Sequence, residues 1–170
     1  MRAFWHTAVV AAALLTGGCA GYQVGPVGGV TAGAQSVRVG FFKNETQEPR
    51  LTEAVAQALR KSFQHDGTYR LETHGDGDVS LEGVIIAYQR EALTFQPLDV
   101  ITARDYTVKL IARVKAVERR SGKVLFEREV TGRTIMRMAP DQSGVERQIL
   151  PLLAEDLARN TASLLTEGTW

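Results

Sequence analysis

The sequence predicts an α+β domain: a four-stranded sheet with two helices packed on one face, in the order β-α-β-β-β-α. Three observations predict it. Short stretches alternate apolar and polar residues, as half-buried strands do. Two other stretches repeat apolar residues every third or fourth position, as amphipathic helices do. Between those helices the strand patterns follow one another without a helical period. The chain has 170 residues with 44% hydrophobic and 23% charged, the balance of a globular protein. Twenty Lys plus Arg stand against 19 Asp plus Glu, so a general nucleic-acid binder, which needs a basic surplus, is disfavoured. A single cysteine excludes an intramolecular disulfide, and with three scattered histidines it gives no zinc pattern.

The first residues read as a secretory signal. Arg2 supplies a positive start, and Thr7 to Leu15 is an uncharged apolar run. That run is far below the ~20 residues a spanning helix requires. Leu15-Thr16-Gly17-Gly18-Cys19 resembles a bacterial lipobox, with its leucine one place earlier than the usual pattern. The resemblance implies that residues 1–18 are cut away, that a diacylglyceryl group sits on the Cys19 thiol, and that the new amino terminus is acylated. Ala20 in place of aspartate favours the outer membrane, by analogy with sorting in enterobacteria. Several acyl chains at ~0.8 kcal/mol per buried CH₂ hold a protein at a bilayer without any spanning helix. Loss of Arg2 leaves the mature chain formally neutral. Residues 19–35 carry Gly21, Gly25, Pro26, Gly28, Gly29 and Gly33 and no charge, which is the composition of a tether. Residues 36–170 then form the single folded domain.

Ser36 to Phe42 reads as the first strand, with Val37, Val39 and Phe41 on one face and Arg38 and Gly40 on the other. Lys43-Asn44-Glu45-Thr46 is a turn; its match to a glycosylation sequon is better explained by Asn44 capping that turn. Pro49 suits the first position of a helix, and Leu51, Val55, Leu59 and Phe63 form its buried stripe up to Gly67. Tyr69 to Thr73 is a short extended piece. His74-Gly75-Asp76-Gly77-Asp78 is a Gly-rich turn, lacking the glutamate and the length of a calcium loop. Val79 to Arg90 is the second strand, with Gly83 as a candidate bulge. Glu91 to Thr102, containing Pro97, reads as a loop, and Ala103 to Glu118 and Val124 to Arg137 are the last two strands. Asp141 or Ser143 caps the final helix, whose stripe is Val145, Ile149, Leu152, Leu153, Leu157, Leu164 and Leu165, and Pro151 should kink or divide it.

Charge fixes the register of the last hairpin. With Arg120-Ser121-Gly122 as a three-residue loop and Gly122 at positive φ, Lys115 faces Glu127 and Arg113 faces Glu129. The same register sets Ala116 against Phe126 and Ala112 against Val130. A two-residue loop would oppose Lys115 and Arg128, a like-charge pair. Arg128 falls on the apolar side of the chosen alignment, which counts against it. The same register brings Lys109 against Arg133 with no carboxylate to balance them, and gives Arg137 the partner Asp105. Residues 103–137 hold ten basic and four acidic side chains, so charge is segregated although the total is near zero. Lys109, Arg133 and Arg137 are therefore the candidate site for an anionic glycolipid, since two cations held together lose their repulsion on binding phosphate. The competing explanation is a solvated outer sheet face.

No catalytic constellation is present in the pattern. His6 leaves with the signal, and His65 and His74 have no matched serine or second histidine. Asp76 and Asp78 sit in a Gly-rich turn as solvated carboxylates. No GxGxxG, phosphate loop or HExxH occurs. The expectation is a protein that is not an enzyme, with no cofactor beyond the covalent lipid on Cys19.

An ordered set of segments resembles the LptE family of lipopolysaccharide-assembly lipoproteins. They are Cys19-Ala20-Gly21-Tyr22, Ser36 through Thr46, Glu48 through Ala54 running into Ala58-Leu59-Arg60, Asp78 through Gly83, Ser121 through Glu127, Glu155-Asp156-Leu157-Ala158 and Trp170. The resemblance implies an outer-membrane lipoprotein facing the periplasm and seated as a plug inside the β-barrel LptD. It implies that the pair delivers lipopolysaccharide to the outer leaflet, that the lipoprotein binds lipopolysaccharide and that it helps the barrel assemble. It also implies a four-stranded sheet with two helices on one face. The alternatives are a lipoprotein activator of a peptidoglycan synthase, a secretion-channel accessory lipoprotein, or a lipid-anchored hydrolase.

Overall fold

The computed structural model describes residues 33–96, 99–137 and 142–168. The signal, Cys19 and most of the tether, together with Pro97, Asp141 and Trp170, lie outside them. The elements are β1 (Gln35–Asn44), α1 (Leu51–Asp66), β2 (Tyr69–Leu71), β3 (Val79–Gln96), β4 (Asp99–Glu118), β5 (Val124–Arg137) and α2 (Gln142–Glu167). They form an α+β fold, with five strands rather than the four expected, in the order β2-β1-β3-β4-β5. The extra strand is the short piece after α1: three residues of β2 pair parallel to β1, Gln35 with Tyr69 through Val37 with Leu71. β1 also runs parallel to β3, while β3-β4 and β4-β5 are antiparallel, so the sheet is mixed.

Of the segment expected as a loop, Glu91 to Thr102, residues 91–96 and 99–102 are instead strand. β3 and β4 continue past it and pair as far as Gln96 with Asp99.

One face of the sheet is apolar and covered. Val37, Leu81, Ile85, Leu110, Ala112 and Val114 are fully buried beneath Leu51, Leu59 and Phe63 of α1 and Leu153, Leu157 and Leu165 of α2. Tyr69 Oη, just past α1, lies 3.5 Å from the carbonyl of Leu165, so both helices end at the same end of the sheet. Lys61 Nζ and Glu155 Oε1, 2.7 Å apart, tie the helices on their outer side.

Several local expectations are corrected. A register shift between Val39 and Phe42 turns the strand by one residue, so Phe42 enters the core and Phe41 stands 74% exposed. Gly83 is not the bulge; against β4 the shifts on β3 fall between Ile85 and Ala87 and again between Ala92 and Gln96. Glycine is required at 83 because the Phe42 ring lies on it, and a Cβ there would stand 2.5 Å from that ring and 2.8 Å from the Arg113 carbonyl. α1 begins at Leu51 behind Arg50, two residues after Pro49. Its C-cap is Gly67 at φ 73°, as expected. α2 runs undivided through Pro151; Leu152 is 52% exposed, and Leu150, Ala154, Ala158 and Ala162 complete the buried stripe instead. Ser143 lies inside that helix rather than capping it.

α2 also closes the outer edge of β5. Gly132 has no side chain, so the helix backbone sits directly on the strand; a Cβ would stand 2.7 Å from the Leu157 nitrogen. That approach lets Asp156 Oδ2 accept the Arg133 backbone N–H at 2.9 Å, while Asn160 Nδ2 donates to the Thr131 carbonyl at 2.8 Å. Backbone groups that would otherwise offer a template for another strand are satisfied within the chain.

Candidate functional site

The hairpin register predicted from charge is the one observed from Asp105 to Ala116. Beyond Ala116 it shifts by one residue: Val117 faces Val124 and the Glu118 N–H donates to the Lys123 carbonyl at 2.8 Å, so the turn is longer than the three residues expected. Lys115 faces Glu127, Arg113 faces Glu129, Ala112 faces Val130 and Ala116 faces Phe126. Gly122 takes φ 71°, and its N–H donates to the Glu118 carbonyl at 2.8 Å. Arg128 opposes buried Val114 yet is itself exposed, because it lies on the edge strand where a long side chain can turn outward.

The side chains that alternate with the buried ones make the outer face of β3, β4 and β5. Arg113 donates to Glu129 at 3.2 Å. Two same-face positions further along, past Ile111 and Thr131, Lys109 stands opposite Arg133, as predicted. Lys109 is nonetheless balanced: both Glu91 carboxylate oxygens lie 2.7 Å from its Nζ. Glu91 falls in the segment expected as a loop, and its place on β3, diagonal to Lys109, is what supplies the missing carboxylate. At the far end Asp105 accepts from Arg137 Nε at 3.0 Å and from the Thr94 hydroxyl at 2.7 Å. Those two donors, Thr94 first, hold the Asp105 carboxyl below its usual range.

Arg133 differs from its neighbours. Its backbone N–H is held by Asp156, while its side chain is exposed and makes no hydrogen bond or ion pair within the described residues. Ile135, two residues on, is 64% exposed. The face thus combines one guanidinium open to solvent, an ammonium that shares its charge with Glu91, a partnered Arg137 and an exposed aliphatic side chain. That is the chemistry of a surface for an amphiphilic anion: Arg133 offers a fork of donors for a phosphate, and Ile135 offers contact for hydrocarbon.

The remaining titratable groups serve the framework. Asp76 accepts from Arg119 at 2.6 Å and Arg38 at 2.7 Å, and Arg119 and then Arg38 hold its carboxyl low. Asp78 Oδ2 accepts both the backbone N–H and the hydroxyl of Ser36 at 2.8 Å, which again lowers the carboxyl. Asn44 organises the turn after β1: its Oδ1 accepts from the Thr46 N–H and hydroxyl, and its Nδ2 donates to the Glu48 carbonyl. His74 Nδ1 lies 2.8 Å from the Thr73 hydroxyl. His65 lines an open groove of about 370 Å³ between the helices with Asp66, Arg159 and the Lys61–Glu155 pair. Among the described residues no three metal-ligating side chains converge. Among them, too, no helix is long and apolar enough to cross a membrane.

Comparison with known proteins gives three results. The family model for lipopolysaccharide assembly, LptE, matches residues 34–164. No curated protein matches the sequence. Solved structures share the fold at low identity. A protein from Xanthomonas campestris, 8% identical, superposes with a TM-score of 0.62 over 86% of this chain and 91% of its own. A hypothetical protein from Chlamydia trachomatis, also 8% identical, gives 0.55 over 77% and 95%. A minor lipoprotein from Acinetobacter baumannii, 13% identical, gives 0.50 over 78% and 93%. At these identities the structures establish architecture alone, whereas the family match takes in every element from β1 to most of α2. The chain belongs to the LptE family of lipopolysaccharide-assembly proteins.

Proposed function

We propose that this protein is a non-catalytic lipoprotein of the outer membrane, anchored through Cys19 at the periplasmic face. It plugs the β-barrel LptD, assists the barrel's assembly, and takes lipopolysaccharide during delivery to the outer leaflet. The family match over residues 34–164 carries this reading. The outer sheet face supports it: Arg133 is open to an anion, and Lys109 and Arg137 lie beside it with carboxylates that a phosphate can replace. In this reading Lys109, Arg133 and Arg137 bind the phosphorylated head of the glycolipid.

Depletion in the native cell tests the whole. Lipopolysaccharide missing from the surface together with a misassembled barrel is the expected outcome. A normal surface over a weakened cell wall would point to a synthase activator and reject it. The anion site has its own test: Arg133→Glu and Lys109→Glu should each abolish binding of purified lipopolysaccharide to the folded protein, and unchanged binding removes the site.

A further inference from the structure

The segment from Cys19 joins the described domain at Gly33, so the end of the sheet where β1 begins is the end nearest the anchor. Gly33 N–H donates to the Thr68 carbonyl at 2.9 Å, and Ser36 pairs with Arg70 on β2. The β4-β5 turn is fastened to the same end: Arg119 N–H donates to the Asp78 carbonyl at 2.9 Å, and Asp78 N–H to the Ser36 carbonyl at 3.0 Å.

Basic side chains ring this point of entry. Arg38 and Arg119 hold Asp76 between them. Other carboxylates nearby are also occupied: Asp78 by Ser36, Glu72 by the backbone N–H groups of His74 and Gly75, and Glu118 by the Ser121 hydroxyl. Arg70, Arg120 and Lys123 are exposed and form no side-chain hydrogen bond or ion pair within the described residues. The helix layer contributes the opposite sign here, through Asp66, Glu167 and the negative ends of two helix dipoles. On the sheet side of this end Arg38, Arg70, Arg119, Arg120 and Lys123 exceed Glu72, Asp76, Asp78 and Glu118 by a single charge, whereas the helix side carries the carboxylates Asp66 and Glu167.

We propose that Arg70, Arg120 and Lys123 rest on anionic phospholipid headgroups of the bilayer that holds the anchor, and that this contact sets how the domain stands on the membrane. The proposal rests on lipidation of Cys19 and on neither the barrel nor the lipopolysaccharide reading. A basic residue at an anionic leaflet favours the contact by about fivefold. Three such residues are weak for a free protein. Here lipidation at Cys19, 14 residues before Gly33, makes the contact intramolecular. Exposed acidic groups on the helix side are repelled, which leaves one orientation favoured.

The lipidated chain is reconstituted in vesicles of phosphatidylethanolamine with about one quarter phosphatidylglycerol, with an acceptor dye on the headgroups. A donor dye is placed through Val124→Cys beside the basic turn or through Gln47→Cys at the opposite end of β1. Energy transfer from position 124 should exceed that from position 47 by about threefold. The ratio should fall to near one in neutral phosphatidylcholine vesicles, in about 0.5 M NaCl, and in an Arg70→Gln, Arg120→Gln, Lys123→Gln variant. A chain that stays on the vesicles with the same ratio in anionic and neutral lipid overturns the proposal. A chain that leaves the vesicles overturns the anchor and the proposal with it.

Discussion

The two faces of the sheet are built from the same three strands and held by different physics. On the inner face Leu81, Ile85, Leu110, Ala112 and Val114 are fully buried against two helices. On the outer face the alternate residues form ion pairs in water, Lys109 with Glu91, Arg113 with Glu129 and Arg137 with Asp105. Burial contributes ~25 cal/mol per Å² of apolar area, whereas an exposed ion pair contributes ~0–1 kcal/mol. The inner face therefore carries the stability, and the outer face is free to change partners. A charged pair in solvent can be exchanged for a ligand without unfolding anything.

That contrast is broken most severely from the inside. Phe42→Ala removes a ring that fills the space over Gly83 and should cost ~3–5 kcal/mol, measured by denaturant unfolding. Phe41→Ala, one residue away, is expected within ~0.5 kcal/mol of the parent, because Phe41 is exposed. Equal losses at the two positions would mean that the register shift in β1 is absent. Gly132→Ala drives a methyl into the backbone of α2 and should cost ~1–3 kcal/mol or more.

The clasp between α2 and β5 lies between the two extremes. Burial pushes the Asp156 carboxyl up, but the Arg133 N–H, Arg159 and the Arg133 charge together outweigh it, and the carboxyl ends below its usual range. A carboxyl lowered on folding stabilises the protein above its unfolded pKa, and that contribution disappears as pH falls through the folded value. Asp156→Asn should cost ~1–2 kcal/mol near neutral pH and make the acid limb of the stability curve shallower. In Asp156→Ala, where the β5 edge loses its acceptor altogether, a second effect is expected: more self-association, seen by light scattering. An acid limb identical to that of the parent would show that the clasp carries no linked proton.

How far these features could be read beforehand depends on whether a local rule and the global fold agree. The hairpin register was legible because only one alignment pairs Lys115 with Glu127, Arg113 with Glu129 and Ala116 with Phe126 at once. The α1 stripe was legible for the same reason, four apolar residues at one spacing before a Gly67 cap. β2 was not, since three residues show no period and exist as a strand only through β1 beside them. Phe41 and Phe42 exchanged faces because the shift between Val39 and Phe42 changes the phase of alternation, which no residue type announces. The candidate anion site was legible in its cations and not in their balance. Glu91 could be matched to Lys109 only once β3 was known to extend through a segment that Pro97 marks as a loop.

The smallest expected effect sharpens the comparison. Arg113→Ala and Glu129→Ala should each change stability by less than ~1 kcal/mol, and the double-mutant cycle should give a coupling of ~0.2–1 kcal/mol. Both side chains are about half exposed, so the coupling should shrink further in ~1 M salt, where the Debye length falls to ~3 Å. Arg133→Ala should fall in the same small range, because its exposed side chain makes no hydrogen bond or ion pair within the described residues and gives up only its charge interaction with Asp156. If Arg113→Ala instead cost as much as Gly132→Ala, the outer face would be part of the core's support. It could not then release its partners to an incoming anion at small cost, and the division of labour between the two faces would be wrong.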